Sequence, residues 1–346
     1  MAKVLVTGAA GQVGSRLVRQ LLEKNYEVRG LILPEDPNRK RIDGLGIEVV
    51  EGNLMDVDTA IKVAEGVDAI IHTANLVGPL PGMSQSEFFS NNVQATYNIA
   101  YAASRHADKL QRFVYTSSSS VYPNDSQILA TAYNPVDELH PTRPIGTYAA
   151  SKLAGEAVVQ ALSRETGMRV SMIRPSGIVS GTAVLSRWTV GFVSIILKIG
   201  QQHPKSALYM PDGTELWHEL ERAASSPQQP CAITDMEGRP WIYQLIHASD
   251  AAHGLICALE SPAAVGEAFN VAAPRPITYP EAAEILARIK GQEVLQWRVP
   301  VRWVFDLDIS KAKSWIGYQP KWDIARMIQT AADIEEGRAD AAVVDI

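Results

Sequence analysis

Apolar positions in the amino-terminal half of the chain switch repeatedly between two periods. Val4, Leu5 and Val6 form a Val-rich run that stops at Gly8, Gly11 and Gly14, and apolar residues resume at Val13, Leu17, Val18, Leu21 and Leu22. The run suits a strand and the resumed spacing suits one face of a helix, with a glycine-rich turn between them. Tyr26–Leu33 reads as a second strand ended by Pro34, Ile47–Leu54 as a third, and Val67–Asn75 as a fourth after a helix over Val57–Glu65. Asn91–Ala103 has helical spacing, with Val93, Tyr97 and Ala100 on one face. Arg112–Tyr122 is a fifth strand ending in hydroxyls, a helix opens at Thr147 after the Pro-rich stretch Pro141–Pro144, and Arg169–Val179 is a sixth strand. Strand alternating with helix in this way predicts an α/β fold, a Rossmann-type doubly wound parallel sheet.

Beyond Val179 the pattern loosens. Trp188–Ile199 reads as an apolar helix and Pro204–Pro240 as irregular; a stretch of that length usually serves substrate binding or oligomer contact. Leu245–Ala252 leads into a helix with Asp250 as N-cap, Gly266–Val271 is a strand, and Thr278 caps a helix to Ile289. The tail after Glu336 is expected to fray. The division that follows is a dinucleotide-binding domain over residues 1–180 plus about 241–275, and a smaller mixed α/β substrate-binding domain over about 181–240 plus 276–340.

Composition narrows the class. The 346 residues carry a formal net charge of -6 and are 46% hydrophobic, enough for a large core and without a basic field for nucleic acid or anionic lipid. The longest apolar run, around Phe192–Ile199, is short and contains Lys198, so no membrane span is expected. Cys231 and Cys257 are the only cysteines, which indicates neither a disulfide framework nor a cysteine-rich metal site. The expectation is a cytoplasmic protein with no leader ahead of the first strand, a small-molecule substrate, no metal, and a homodimeric state.

A glycine-rich turn between strand and helix lets the backbone approach a pyrophosphate, and the unpaired N–H groups of the helix start favour its charge. The spacing Thr7-Gly8-x-x-Gly11-x-x-Gly14 resembles the turn of the extended short-chain dehydrogenase/reductase family, also called the NAD-dependent epimerase/dehydratase family. That resemblance implies a cofactor held by Gly8, Ala10, Gly11, Gln12, Val13 and Gly14 at the turn, and by Asn53 and Leu54 near adenine. It also implies Thr73, Ala74 and Asn75 after the fourth strand, Thr116 after the fifth, and Pro175, Gly177 and Ile178 beside the nicotinamide. The tip of the second strand carries Ile32 and Leu33 rather than an acid. Glu35 and Asp36 come slightly later and are followed by Arg39, Lys40 and Arg41. A solvated charged loop is one reading of that segment. Arg39 and Lys40 as 2′-phosphate contacts is another, and it tilts the choice between NAD and NADP toward NADP.

Tyr148 and Lys152 are four apart and share one helical face. Moving a hydride from a carbinol requires its hydroxyl proton to leave as well, and a tyrosine with a pKa of ~10 is a poor base at neutral pH. A lysine ammonium within ~4–6 Å lowers such a value by ~1–3 units, which brings it nearer the range where acid-base catalysis is efficient. The resemblance places the substrate-binding hydroxyl at Ser118, with Ser119 next to it. It gives Asn92, in Asn92-Val93-x-x-Thr96-x-Asn98, a supporting role in orienting Lys152. Strand alternation alone divides Thr116, Ser118 and Ser120 from Ser117 and Ser119. His72 has neither a carboxylate nor metal-ligand spacing beside it and reads as a structural hydrogen bonder.

Two departures from the family pattern bear on the substrate. Ser119-Ser120 stand where dehydratases of the family carry Asp-Glu, which disfavours sugar dehydration. Tyr243 stands where nucleotide-sugar members carry a phosphate-binding Arg, with Arg239 four residues upstream. The reading is an NAD(P)-dependent dehydrogenase or reductase acting on a sugar or other small alcohol or carbonyl. The alternative is a nucleotide-sugar epimerase with tightly held NAD. A dinucleotide sensor without turnover would have no need of Tyr148 and Lys152.

Overall fold

The computed structural model describes residues 2–123 and 128–339. In its first part, strands β1 (Lys3–Thr7), β2 (Glu27–Ile32), β3 (Glu48–Glu51), β4 (Ala69–His72), β5 (Arg112–Thr116) and β6 (Val170–Pro175) alternate with helices. These are α1 (Gln12–Glu23), α2 (Val57–Ala64), α3 (Gln85–Ser104) and α4 (Gly146–Thr166). There follow β7 (Gly177–Val179), α5 (Val190–Gln201), α6 (Leu216–Ala223), β8 (Cys231–Asp235), β9 (Ile242–Tyr243), β10 (Leu245–His247), α7 (Ala248–Glu260) and β11 (Ala268–Val271). The last elements are β12 (Ile277–Thr278), α8 (Tyr279–Lys290), β13 (Leu295–Val299), β14 (Val304–Phe305), α9 (Ser310–Ile316) and α10 (Ile324–Glu335).

Seven strands form one sheet in the order β11-β6-β5-β4-β1-β2-β3, every pair parallel. The order reverses between β4 and β1, and that switch point opens the crevice at the strands' carboxyl ends where doubly wound folds take ligands. Both faces of the sheet are covered, as its apolar strands require. Val4 and Val6 join the core under α1 and α7, whereas Leu5 joins the core under α2, α3 and α4, the alternation expected of a strand. Register then aligns the site: Thr7 lies beside His72, His72 beside Tyr115, and Thr116 beside Ile173.

The remainder is built of small sheets, β8 with β13, β9 with β12 and β14, and β7 with β10, around buried Trp188, Trp241, Trp303 and Tyr279. The stretch Pro204–Pro240 is therefore not wholly irregular. It holds the eight-residue α6 and the five-residue β8, both too short to establish a period, and β8 acquires its partner only from β13.

Two helix starts differ from expectation. Thr278 caps α8 by accepting from Glu281 N at 3.2 Å, as expected. Asp250, however, is not the cap of α7. The strand β10 runs directly into the helix, so His247 takes that place and accepts from Ser249 N. Asp250 sits within the first turn, where its carboxylate accepts from Lys321 N and Trp322 N at 2.8–3.0 Å and pins the closing segment of the chain. Helix α3 begins before Asn91 because Ser84 and Glu87 form a reciprocal capping box. The expected frayed tail falls mainly on residues 340–346, outside the described residues.

Candidate active site

The turn after β1 fits a dinucleotide at atomic detail. Gly8 has φ +67, and a Cβ there would meet the Ala74 Cα at 2.9 Å; a Cβ on Gly14 would lie 2.1 Å from the Gly8 carbonyl oxygen. Gly11 caps α1 without a side chain and no acid occupies the first turn, so the helix start presents N–H donors and its positive dipole end to the crevice. Gly14→Ala should therefore displace the turn. The expected result is loss of dinucleotide binding together with a stability loss of about 1–3 kcal/mol, read by calorimetric titration and thermal denaturation. Unchanged affinity would show that the turn does not hold the cofactor.

Two cavities meet at this turn, of about 520 and 540 Å3, sharing Gly8, Gly11, Thr73 and Asn75. The first brings together Gln12, Val13, Gly14, Thr116, Ser118, Tyr148, Lys152, Pro175, Gly177 and Ile178 from four separate segments. The second takes Asn53, Leu54 and Ala74. Asn53 Oδ1 also accepts from Met55 N at 2.9 Å. Ala10 is the exception at the turn. It is buried in the core beneath it, and its carbonyl accepts from Arg41 Nη1 at 3.4 Å.

One side of the first cavity is set by α4. Lys152 is buried, its Nζ donates to the Thr116 carbonyl at 2.8 Å, and it lies 5.8 Å from the Tyr148 ring centre. Burial pushes its ammonium down to about 7, opposed by the nearby Glu156 carboxylate. Ser118 Oγ accepts from Ser120 N at 3.1 Å.

Directly after β5 the backbone makes one 3-10 turn, Ser119–Val121. Alternation ends there, and Ser117, Ser118 and Ser120 all line the cleft. Ser119 is fully buried and does not line it, so the expected substrate contact at Ser119 is corrected to its neighbours. Simple strand alternation could not have identified this set.

Asn92 does not reach Lys152. Its amide donates to the Leu76 carbonyl at 3.0 Å and Ser151 Oγ at 3.2 Å, and Ser151 in turn donates to the Tyr148 carbonyl at 2.7 Å. It thus braces the turn that carries Tyr148. His72 is structural, held between the hydroxyls of Thr7 at 2.7 Å and Thr96 at 3.1 Å, and burial, helped by Lys152, pushes it down to about 3, which keeps it neutral.

The basic cluster after β2 does not face the second cavity. Arg39 and Lys40 are exposed, and Arg39 is engaged by Glu51 and Asp43. The cavity wall is instead Leu33, Glu35, Asp36 and Asn38. Neither Arg39 nor Lys40, the expected 2′-phosphate contacts, is part of that wall, and Glu51 of β3 engages Arg39.

Buried Thr116 Oγ1, Ser117 Oγ, Ser120 Oγ and Asn75 Oδ1 have no hydrogen-bond partner among the described residues, and all four residues line the first cavity. Such orphaned polar atoms are costly unless a ligand or water satisfies them. Together with the glycine cradle they fit a polar dinucleotide.

A family model described as "NAD dependent epimerase/dehydratase family" matches residues 4–272. The chain belongs to this family. A 3 beta-hydroxysteroid dehydrogenase/Delta 5-->4-isomerase of Mycobacterium tuberculosis is 35% identical over 190 residues, 51% of this chain and 47% of that one. The chain thus matches about half the length of the first of its curated relatives. An uncharacterized UDP-glucose epimerase of Bacillus subtilis is 25% identical over 343 residues, 92% of this chain and 93% of that one. The crystal structure of a short-chain dehydrogenase/reductase superfamily protein from Agrobacterium tumefaciens with bound NAD superposes with TM-score 0.76 and 25% identity, covering 97% of this chain and 98% of that one. No described helix of this family member is long and apolar enough to cross a membrane.

Proposed function

We propose that the protein binds NAD along the two joined cavities and epimerises a sugar nucleotide by oxidising one secondary carbinol and reducing it again from the other face. The observation that carries the hydride-transfer chemistry is the convergence of Ser118, Tyr148 and Lys152 beside the glycine turn in one cavity. Tyr148 takes the carbinol proton and later returns it. The Lys152 ammonium favours the phenolate and is oriented by the Thr116 carbonyl. Ser118 donates to the substrate oxygen and steadies its developing charge. When bound, the dinucleotide would supply the acceptance and return of hydride, with the glycine turn at the α1 start to hold its pyrophosphate and Lys152 to hold its nicotinamide ribose. Glu35 and Asp36 on the adenosine side favour NAD, since a 2′-phosphate there would meet like charge.

Epimerisation is preferred to net oxidation because, among the curated relatives named above, the one matched over 92% of this chain is an uncharacterized UDP-glucose epimerase, while the steroid dehydrogenase likeness covers 51% of it. One observation favours the second reading, a dehydrogenase or reductase. Tyr243, stacked on Trp303 at 4.6 Å, lines the catalytic cavity where a phosphate-binding Arg would stand, and among the described residues Lys152 is the one charged side chain lining that cavity. The test is incubation with NAD or NADP and a panel of nucleotide sugars, free sugars and other secondary alcohols, following product configuration and nicotinamide absorbance together. Inversion without net reduced cofactor is expected; stoichiometric NADH formation would establish the dehydrogenase instead. The remainder of the substrate would rest on segments about 181–240 and 276–339, which adjoin the cavity where Trp303 stacks on Tyr243, and a homodimer would be checked by mass in solution.

A further inference from the structure

Behind the cleft, and lining no part of it, lies a buried polar frame centred on Arg174. Its Nε and Nη2 donate to the two Glu156 oxygens at 2.8 and 2.7 Å, a bidentate pair, and its Nη1 donates to the Tyr122 hydroxyl at 2.7 Å. The Tyr122 hydroxyl donates onward to Asn270 Oδ1 at 2.9 Å, and Asn270 is fixed by its Nδ2 to the Val136 carbonyl at 3.1 Å and by its N–H to Glu138 Oε1 at 2.7 Å. Arg174, Glu156, Tyr122 and Asn270 are all buried, none more than 6% exposed.

The attachment points matter. Glu156 is one helical turn beyond Lys152 on α4; Tyr122 ends the segment that carries Ser117, Ser118 and Ser120; Arg174 precedes Pro175 in the cleft wall. One guanidinium therefore ties together the three segments that supply the lysine, the hydroxyls and the wall. Apolar residues of like volume would fill the same space without desolvating an ion pair and often do so at no loss of stability. What an apolar filling lacks is direction: the planar fork fixes the angle and distance of each partner.

We propose that Arg174, with Glu156 and Tyr122, is a positioning residue for hydride transfer, setting Ser118 against Tyr148 and Lys152. The inference rests on the function proposed above. Misplacement of reacting groups by ~1 Å costs about 100-fold. Arg174→Met and Arg174→Lys should each lower kcat by about that factor, the lysine because a point charge cannot hold two partners, with KM and the NAD dissociation constant unchanged. Tyr122→Phe keeps the ion pair and removes the link to the serine segment. It should lower kcat by ~10-fold, a smaller displacement on the same scale, and raise the primary isotope effect on the carbinol C–H.

The same variants are also read without turnover. In the cofactor-free protein, amide hydrogen exchange across Ser118–Val121 should quicken in Tyr122→Phe and in any Arg174 variant that folds. If Arg174→Met does not fold, Tyr122→Phe decides. A lower melting temperature with unchanged kcat and unchanged exchange would overturn the proposal, as would a kcat loss matched by an equal loss of NAD affinity. If the wild-type protein turns over none of the substrates, the proposed function fails, and the exchange result still decides whether the frame holds the serine segment.

Discussion

Tyr148→Phe is expected to lower turnover by about 100- to 10,000-fold, the range associated with removing a positioned general acid-base group, while NAD affinity stays close to wild type. The reasoning is geometric. Lys152 brings its ammonium to the cleft wall, and its hold on the Thr116 carbonyl does not involve the phenol. The ring also keeps its place without the hydroxyl, because Ser151 and Asn92 brace the backbone of its turn. Loss should therefore appear in kcat, with isothermal titration reporting little change in cofactor binding. Full turnover by the phenylalanine variant would remove Tyr148 from the chemistry and shift attention to the serines. A parallel loss of cofactor affinity would mean that the phenol serves binding first.

How much of this site could be read from the chain depends on the distance over which each contact acts. Tyr148 and Lys152 were legible because four residues on a helix share a face, and the glycine turn because strand, turn and helix are consecutive. The serine set was not, since a single 3-10 turn after β5 ends the alternation that divides Thr116, Ser118 and Ser120 from Ser117 and Ser119. For Arg39 the choice between a solvated loop and a phosphate contact was not legible for a different reason: it is engaged by Glu51 from β3, twelve residues away and brought close only by sheet pairing. The Arg174 frame joins residues 18, 52 and 132 or more positions apart. No period or motif links them, and only the packed sheet brings them together. Asp250 shows the same limit, its partners lying 71 and 72 residues downstream.

Lys152→Met should abolish efficient turnover and stabilise the protein at the same time. The activity loss follows from the phenol: without a neighbouring ammonium, the phenolate fraction falls by about 10- to 1000-fold. The stability gain follows from burial. In the cofactor-free fold the Lys152 ammonium is pushed from its ordinary 10.5 down to about 7. Below pH 7 both the folded and unfolded chains hold this proton, and the fold bears the full cost of a buried charge. Between about 7 and 10.5 the unfolded chain binds the proton more readily than the folded one, so this residue's contribution to stability rises with pH through that window. Above it, both are neutral and the cost is gone. At ~1.4 kcal/mol per pKa unit the full span is worth roughly 5 kcal/mol. Denaturation of wild type and Lys152→Met at a series of pH values isolates the residue by difference. The methionine variant should be the more stable by several kcal/mol at pH 6, with the gap closing as pH rises toward 10. A gap that stays constant with pH would mean that Lys152 keeps its proton in the fold. Glu156, the one carboxylate that supports its charge, would then outweigh the burial that opposes it.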